Sequence, residues 1–238
     1  LDIDGVISDG EAQRFDLRLL QRLADLNRRA QHDTAVPAVT LNTGRPSAYV
    51  EAMMQAIDGW RPALFESGAG LYFPTTYQFT TSPLLSSQQM TSLQAIVRRI
   101  DDEIVQRERA YWQPGKSVCY TLFAKNATTL DDLVDDVRRL VTQMSDQFMV
   151  DTAVEAVNIH PAHIHKGTGL QWLADVTGIA LSAMGGVGDS PADVNFLALV
   201  GRPAAPANAA DAVKQVAEYV SSQATASGLQ DILDYWGV

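Results

Sequence analysis

Cysteine is nearly absent from this chain of 238 residues, which holds only Cys119. A lone thiol closes no internal disulfide, so a reducing cytoplasm is the expected compartment. Positive charge is also scarce. Lys and Arg number 18 against 28 Asp and Glu, for a net charge of -10 with neutral histidines. That balance argues against the basic face required by a nucleic acid or an anionic membrane surface. No run approaches the roughly 20 uncharged apolar residues of a membrane helix, and no signal-peptide pattern is visible. Internal repeats, linkers and low-complexity tracts are missing as well. What remains is ordinary globular composition, 46% hydrophobic and 19% charged. The length suits one large α/β domain, or a core with a smaller insert.

Short apolar runs alternate with helical periodicity. In "DLRLLQRLADLNRR", Leu17, Leu20, Leu23 and Ala24 recur at helical spacing. "AVPAVTLNTG" reads as a buried strand running into a polar turn, despite Pro37. A helix is predicted over "SAYVEAMMQAI", then strand, glycine turn and strand over "ALFESGAGLYF". This alternation predicts a mostly parallel sheet with helices on both faces. From about Pro83 to Pro161 the pattern changes. A long helix ("QQMTSLQAIVRRIDDEIVQRE") leads to a strand ("SVCYTLFA"), and a second helix ("LDDLVDDVRRLVTQM") leads to two strands around Asp151 to Glu155. Two helix-then-strand units side by side suggest a small α+β domain, 83–161, inserted into a core made of 1–82 and 162–238. The core pattern resumes with helix "GTGLQWLADVTG", strand "SAMGGVGDS", helix "DVNFLALV" and a last helix near "GLQDILDYW". Leu1 directly precedes Asp2. If Asp2 ends a strand, most of that strand is expected upstream of the residues given.

Functional groups of open α/β sheets gather beyond the carboxyl ends of the strands. Three predicted strand ends carry polar side chains here: Asp2 with Asp4, then Asn42-Thr43-Gly44-Arg45, then Gly188-Asp189-Ser190 with Asp193 close behind. Lys166 opens a helix just after the insert. Four acids, a hydroxyl and two cations thus converge on one crevice. Carboxylates so crowded require a divalent cation, and hard oxygen ligands favour Mg2+. Mg2+ takes only one or two protein carboxylates as a rule, here Asp2 and Asp189, and leaves positions for water and phosphate. Lys166 and Thr43 are placed to hold the remaining phosphate oxygens.

"DIDGV", "TGR", the lysine in "HKGTG" and "GDSPAD" resemble, in order, the four motifs of the haloacid dehalogenase superfamily of aspartate-nucleophile phosphatases. "FESGAGLYF" is similar to the Glu-Asn-Gly-Ala turn of the type IIB, sugar-phosphatase-like branch, which includes sucrose-phosphatase-like and phosphoglycolate-phosphatase-like enzymes; Ser67 takes the Asn position. "PANAADAVKQVAEYV" resembles the stretch after the fourth motif, and the insert lies where that branch carries its cap. The resemblance implies a Rossmann-like core with an inserted α+β cap. It implies a Mg2+-dependent phosphatase acting on a small phosphate ester, such as a sugar phosphate or phosphoglycolate, as a monomer or homodimer.

Residue by residue, the resemblance makes Asp2 the nucleophile and Asp4 the acid that protonates the leaving alcohol and then activates water. The Asp4 carbonyl, Asp2 and Asp189 become metal ligands, and Asp193 orients the metal's waters or Lys166. Thr43, Gly44, Arg45 and Lys166 contact the phosphoryl group or substrate, and Asn158 and His160 are candidates for the non-phosphate part. Where the family usually has Asn before its last Asp, this chain has Ala192.

Plainer readings stand beside each of these. Asp2 and Asp4 alone suit a turn or a capping cluster. Thr43 alone is an ordinary turn hydroxyl, and Lys166 alone an ordinary helix-start lysine. "GGVGDS" lacks the G-x-G-x-x-G of a dinucleotide loop. His160, His163 and His165 suggest zinc, but no cysteine lies nearby and structural or substrate-lining roles fit better. Tyr111, Trp112 and Tyr120 read as core of the insert before substrate platform. Two other functions share these motifs: a phosphomutase that returns its phosphoryl group to the sugar, and a phospho-acceptor module without turnover. The insert argues against the second of these.

Overall fold

A computed structural model describes residues 1–153 and 155–238. The chain forms two compact units, Leu1–Ser82 with His165–Val238, and Pro83–Ile164. In the first unit, α1 spans Leu17–Ala30. Its capping residue Asp16 accepts from the Arg18 and Leu19 amides, satisfying donors that a helix start leaves open. Leu19, Leu20, Leu23 and Leu26 form its buried stripe. Truncating a fully buried one such as Leu23 to Ala should cost about 2–5 kcal/mol. Helix α2 (Ser47–Ala56) leads to strands β1 (Ala63–Phe65), β2 (Gly70–Phe73) and β3 (Gln78–Thr81), paired antiparallel in that order.

The second unit runs α3 (Ser87–Ile100), β4 (Ala110–Trp112), β5 (Tyr120–Ala124), α4 (Leu130–Met144), β6 (Phe148–Ala153) and β7 (Ala156–Pro161). Its four strands form an antiparallel sheet in the order β4-β5-β7-β6. The long helix expected from Gln88 to Glu108 ends sooner. It passes into a π-helical turn at Asp101–Val105, and the chain then turns into β4, which the periodicity did not show. Of the stretch expected as two strands, Val154 lies outside the described residues.

Returning to the first unit, α5 (Lys166–Thr177), β8 (Gly185–Val187), α6 (Val194–Leu197), β9 (Arg202–Ala205), α7 (Asp211–Val216), β10 (Tyr219–Val220) and α8 (Thr225–Trp236) follow. Strands β8, β9 and β10 are parallel neighbours. Backbone hydrogen bonds join the two sheets of this unit through extended segments. Leu64 donates to Leu41, Asn42 donates to Leu1, and Asp2 donates to Val187.

Alternate residues of the strands feed two hydrophobic clusters, as the period of two requires. Ala63, Phe65, Tyr72 and Ala204 join α1, α2 and α8, whereas Leu64, Leu71 and Ala205 join α5, α6 and α7. Helices therefore cover both faces, the α/β core expected from the sequence.

One expected strand is not formed. Residues 37–41 take no regular structure, with Leu41 fully buried, and only Asn42 makes a bridge. Pro37 has no amide hydrogen. Only the end of the segment is held by backbone bonds, the Leu41 carbonyl accepting from Leu64 and the Asn42 amide donating to Leu1. Among the described residues, no helix is long and apolar enough to cross a membrane.

Candidate active site

The first polar loop is a tight turn on a buried anchor. The Ile3 carbonyl accepts from the amides of Val6, Ile7 and Ser8, while Ile3, Val6 and Ile7 are fully buried. Gly5 sits at φ +78°, and a Cβ there would come to 2.0 Å from Asp189 Oδ2. Only glycine lets the turn close against that carboxylate. The turn leaves Asp2 buried beside the end of β8 and sends Asp4 to Arg45. Arg45 grips Asp4 with two bonds, Nε to Oδ2 at 2.7 Å and Nη2 to Oδ1 at 2.6 Å. Its guanidinium also lies over the Tyr49 ring, 4.7 Å from the centroid. A forked, stacked arginine of this kind fixes a carboxylate in orientation as well as charge.

The second loop carries Thr43, fully buried, with Oγ1 accepting from the Arg45 amide at 3.2 Å. Its position is set by a turn of left-handed residues, Glu66 (φ +46°), Ser67 (φ +56°) and Gly68 (φ +93°). The Ser67 amide donates to the Thr43 carbonyl and that of Glu66 to the Arg45 carbonyl. Gly68 meets α5 so closely that a Cβ would lie 2.8 Å from the Gly169 Cα.

Lys166 begins α5, where His165 caps the helix by accepting from the Thr168 amide. The buried Lys166 Nζ lies 2.8 Å from Asp2 Oδ2 and 2.5 Å from Asp193 Oδ1. Asn42 Nδ2 donates to the Lys166 carbonyl at 3.1 Å, tying the second loop to that helix start. Asp193, fully buried, also accepts at Oδ2 from the Asp189 amide, the Ser190 amide and Ser190 Oγ. It thus fixes both Lys166 and the loop that bears Asp189. Asn208 Nδ2, on the segment after β9, donates to the Gly5 carbonyl and reaches Asp189.

Carboxylate oxygens of Asp2, Asp189 and Asp193 all lie within 4.8 Å of one another. Three acids against one lysine leave two negative charges in excess when all are ionised. The imbalance appears in their protonation. Burial, then Asp193, drives Asp2 up to about 6 against the pull of Lys166. Burial, then Asp2 and Asp193, drives Asp189 up to about 7. Burial alone would lower the Lys166 pKa, but Asp193 and Asp2 outweigh it and hold the ammonium well above its ordinary value. Asp189 Oδ1 is buried and has no hydrogen-bond partner. An orphaned carboxylate oxygen, hard donors and two uncompensated negative charges fit a divalent cation of the Mg2+ kind.

The structure therefore gathers Asp2, Lys166, Asp189 and Asp193 directly, with Thr43 and Gly44 on the loop bonded to Lys166 through Asn42. Arg45, expected at substrate, holds Asp4. Asn158 and His160 lie in the second unit, where Asn158 Oδ1 accepts from Thr121 and His160 Nε2 meets Asp151 at 2.9 Å. The three histidines bind separate groups: His160 meets Asp151, His163 the Leu84 carbonyl, and His165 its helix start. Sequence reasoning gave no role to Asn42, Gly5 or Asn208. Asn208 falls inside the "PANAAD" stretch, the one signal that could have drawn attention to it.

The phosphoglycolate phosphatase of Methanothrix thermoacetophila is 38% identical over 87 residues, which is 37% of this chain and 39% of that protein. The higher-identity alignments of this kind take in about two fifths of those relatives' length. The phosphoglycolate phosphatase of Methanococcoides burtonii is 24% identical over 237 residues, 99% of this chain and 94% of that one. The solved structure of a haloacid dehalogenase subclass IIB sugar phosphatase superposes with TM-score 0.67 at 14% identity, over 99% of this chain and 97% of that one, and shares its fold. The profile of the haloacid dehalogenase-like hydrolases matches residues 97–233, more than half of the chain. With that match added to an α/β core whose loops bring Asp2, Lys166, Asp189 and Asp193 together, the chain belongs to the haloacid dehalogenase-like hydrolases.

Proposed function

We propose that this chain is a Mg2+-dependent phosphatase that hydrolyses a small phosphate monoester through an aspartyl-phosphate on Asp2. The observation that carries this reading is the placing of Asp2: a buried carboxylate with Lys166 2.8 Å from one oxygen and Asp189, one oxygen unpartnered, in the same cluster. Asp2, Asp189 and the Asp4 carbonyl would hold Mg2+, whose chemistry is to neutralise phosphate charge and orient the phosphoryl group.

Asp2 attacks phosphorus, the bond to the leaving oxygen breaks, and the alcohol takes its proton from Asp4. Lys166 and the Thr43 hydroxyl bind the equatorial oxygens, where charge spreads in the transition state. A water then attacks phosphorus and gives its proton to Asp4. The acyl-phosphate P–O bond breaks, releasing inorganic phosphate and restoring Asp2. Arg45 holds both oxygens of Asp4, so each half of the reaction requires that pair to open for Asp4 to reach the leaving oxygen or the water.

Relatives named phosphoglycolate phosphatases make 2-phosphoglycolate the first substrate to test, alongside sugar phosphates. Phosphate release should need Mg2+ and stop in excess EDTA. Asp2→Asn should lower it by on the order of 10^4-fold or more while leaving the unfolding transition in place. Turnover by Asp2→Asn at a tenth of the wild-type rate would end the covalent reading.

A further inference from the structure

Both oxygens of Asp189 lie close to Gly5, but their hydrogen bonding differs: Oδ1 is buried without a partner, whereas Oδ2 has one. A carboxylate rotates about its last bond with only a shallow preference. Burial by itself does not decide which oxygen faces the cluster, and some contact must hold Oδ2.

Asn208 supplies that contact. Its Nδ2 donates to the Gly5 carbonyl at 2.9 Å and lies 3.5 Å from Asp189 Oδ2, while its Oδ1 accepts from the Thr225 amide at 2.8 Å. The orientation of the side-chain amide is fixed on both sides. Turned over, its oxygen would face the Gly5 carbonyl and its NH2 would face an N–H. The partner on the far side is itself strained. Thr225 holds φ +44°, unusual for a β-branched residue, and in that conformation its amide reaches Asn208. The backbone of Asp189 is fastened as well, its carbonyl accepting from Ala210 and its amide donating to Asp193 Oδ2. With the main chain pinned, side-chain rotation is the freedom left, and the firm Gly5 bond puts the Asn208 NH2 where it opposes that rotation.

We propose that Asn208 is a positioning residue which holds Asp189 Oδ2 and thereby leaves Oδ1 to meet a divalent cation. The proposal rests on the metal-dependent reading above. Groups that orient a ligand without touching the metal change affinity by about 10–100-fold when removed.

The test titrates Mg2+ into the full chain by calorimetry and follows the Mg2+-induced rise in Tm, with kcat measured at saturating Mg2+. Asn208→Ala is expected to raise the Mg2+ dissociation constant about tenfold, lower Tm in EDTA only modestly because two backbone bonds are lost, and regain kcat when Mg2+ saturates. Asn208 is exposed, so the variant should fold; Asn208→Ser, with the same expected shift, serves if it does not. Unchanged Mg2+ affinity in these variants, beside a wild type that binds Mg2+, overturns the role of Asn208 and leaves the phosphatase reading standing. A fall in Tm in EDTA without a shift in affinity overturns it too, because Asn208 would then be structural. A wild type that neither binds Mg2+ nor needs it for phosphate release overturns both.

Discussion

Lys166 and His160 each hold a carboxylate at nearly the same distance, 2.8 Å to Asp2 in the first unit and 2.9 Å to Asp151 in the second. Their surroundings differ. The Lys166 and Asp2 side chains are 5% and 7% exposed, and two further acids crowd them. Asp151 is 53% exposed and has a single cationic partner. Similar contacts therefore do different things. The pair in the second unit, open to solvent on its Asp151 side, is balanced and is a matter of local stability. The buried cluster is unbalanced, and burial with like charges distorts its protonation. Imbalance under burial, more than acidity, marks the functional region.

The largest effect that could break this comparison comes from Lys166→Met. Methionine keeps the length but leaves Asp2 and Asp193 without their cation, which should lower stability by about 3–5 kcal/mol at pH 7.5 in EDTA, measured by urea unfolding. The loss should shrink toward pH 5, where Asp2 and Asp189 are protonated. A change below about 1 kcal/mol, the level of a surface pair, would mean that the cluster is not the strained arrangement described.

Asp189→Asn should act more gently and with a pH signature. The folded pKa near 7 lies above the ordinary carboxylate value of about 3.9. Burial first, and then Asp2 and Asp193, disfavour the charged form. Stability is thus full below pH 4 and is lost as pH rises through 7. In EDTA the Asn variant should melt above wild type at pH 8 and together with it near pH 4. In Mg2+ the order should reverse. Equal melting at pH 8 in EDTA would remove the argument for like-charge crowding.

Asp151→Asn should have the smallest effect, under about 1 kcal/mol because the pair is solvent-screened. Burial opposes the charged form of His160, but its bond to Asp151 prevails and raises its pKa, while that of Asp151 is lowered. The pair's contribution is full below about pH 6.5 and is lost as pH rises through the folded pKa of His160. At the acid end it is lost as pH falls through that of Asp151. Thermal melts at pH 6 and pH 9 should differ less in the variant than in wild type. A destabilisation that does not vary with pH would show that packing, not charge, joins these strands.

Much of the fold was legible because it is written locally. Helices α1 and α4 carry apolar stripes and capping residues, Asp16 and Thr129, within their own sequences. Strands β3, β4, β9 and β10 escaped notice because two to four residues are too few to show a period, and β9 contains Pro203. Residues 37–41 read as a strand from their apolarity, yet only their end pairs, Leu41 with Leu64 and the adjoining Asn42 with Leu1. At the site, the positions of Asp2, Lys166, Asp189 and Asp193 followed from polar side chains at strand and helix ends. The grip of Arg45 on Asp4, and that of Asn208 on a loop some two hundred residues away, depend on tertiary geometry that no local pattern encodes.

The left-handed turn at Glu66–Gly68 has a bearing on how such a chain could diversify. The first unit is interrupted between Ser82 and His165, and both edges of the gap are tied to this turn. The Ser82 amide donates to the Ala69 carbonyl, and a Cβ on Gly68 would lie 2.9 Å from the His165 carbonyl oxygen. Closing a longer loop between fixed ends costs only about 0.6 kcal/mol for each doubling of its length. A segment of another length between Ser82 and His165 would therefore leave these two contacts, and the turn they meet, in place.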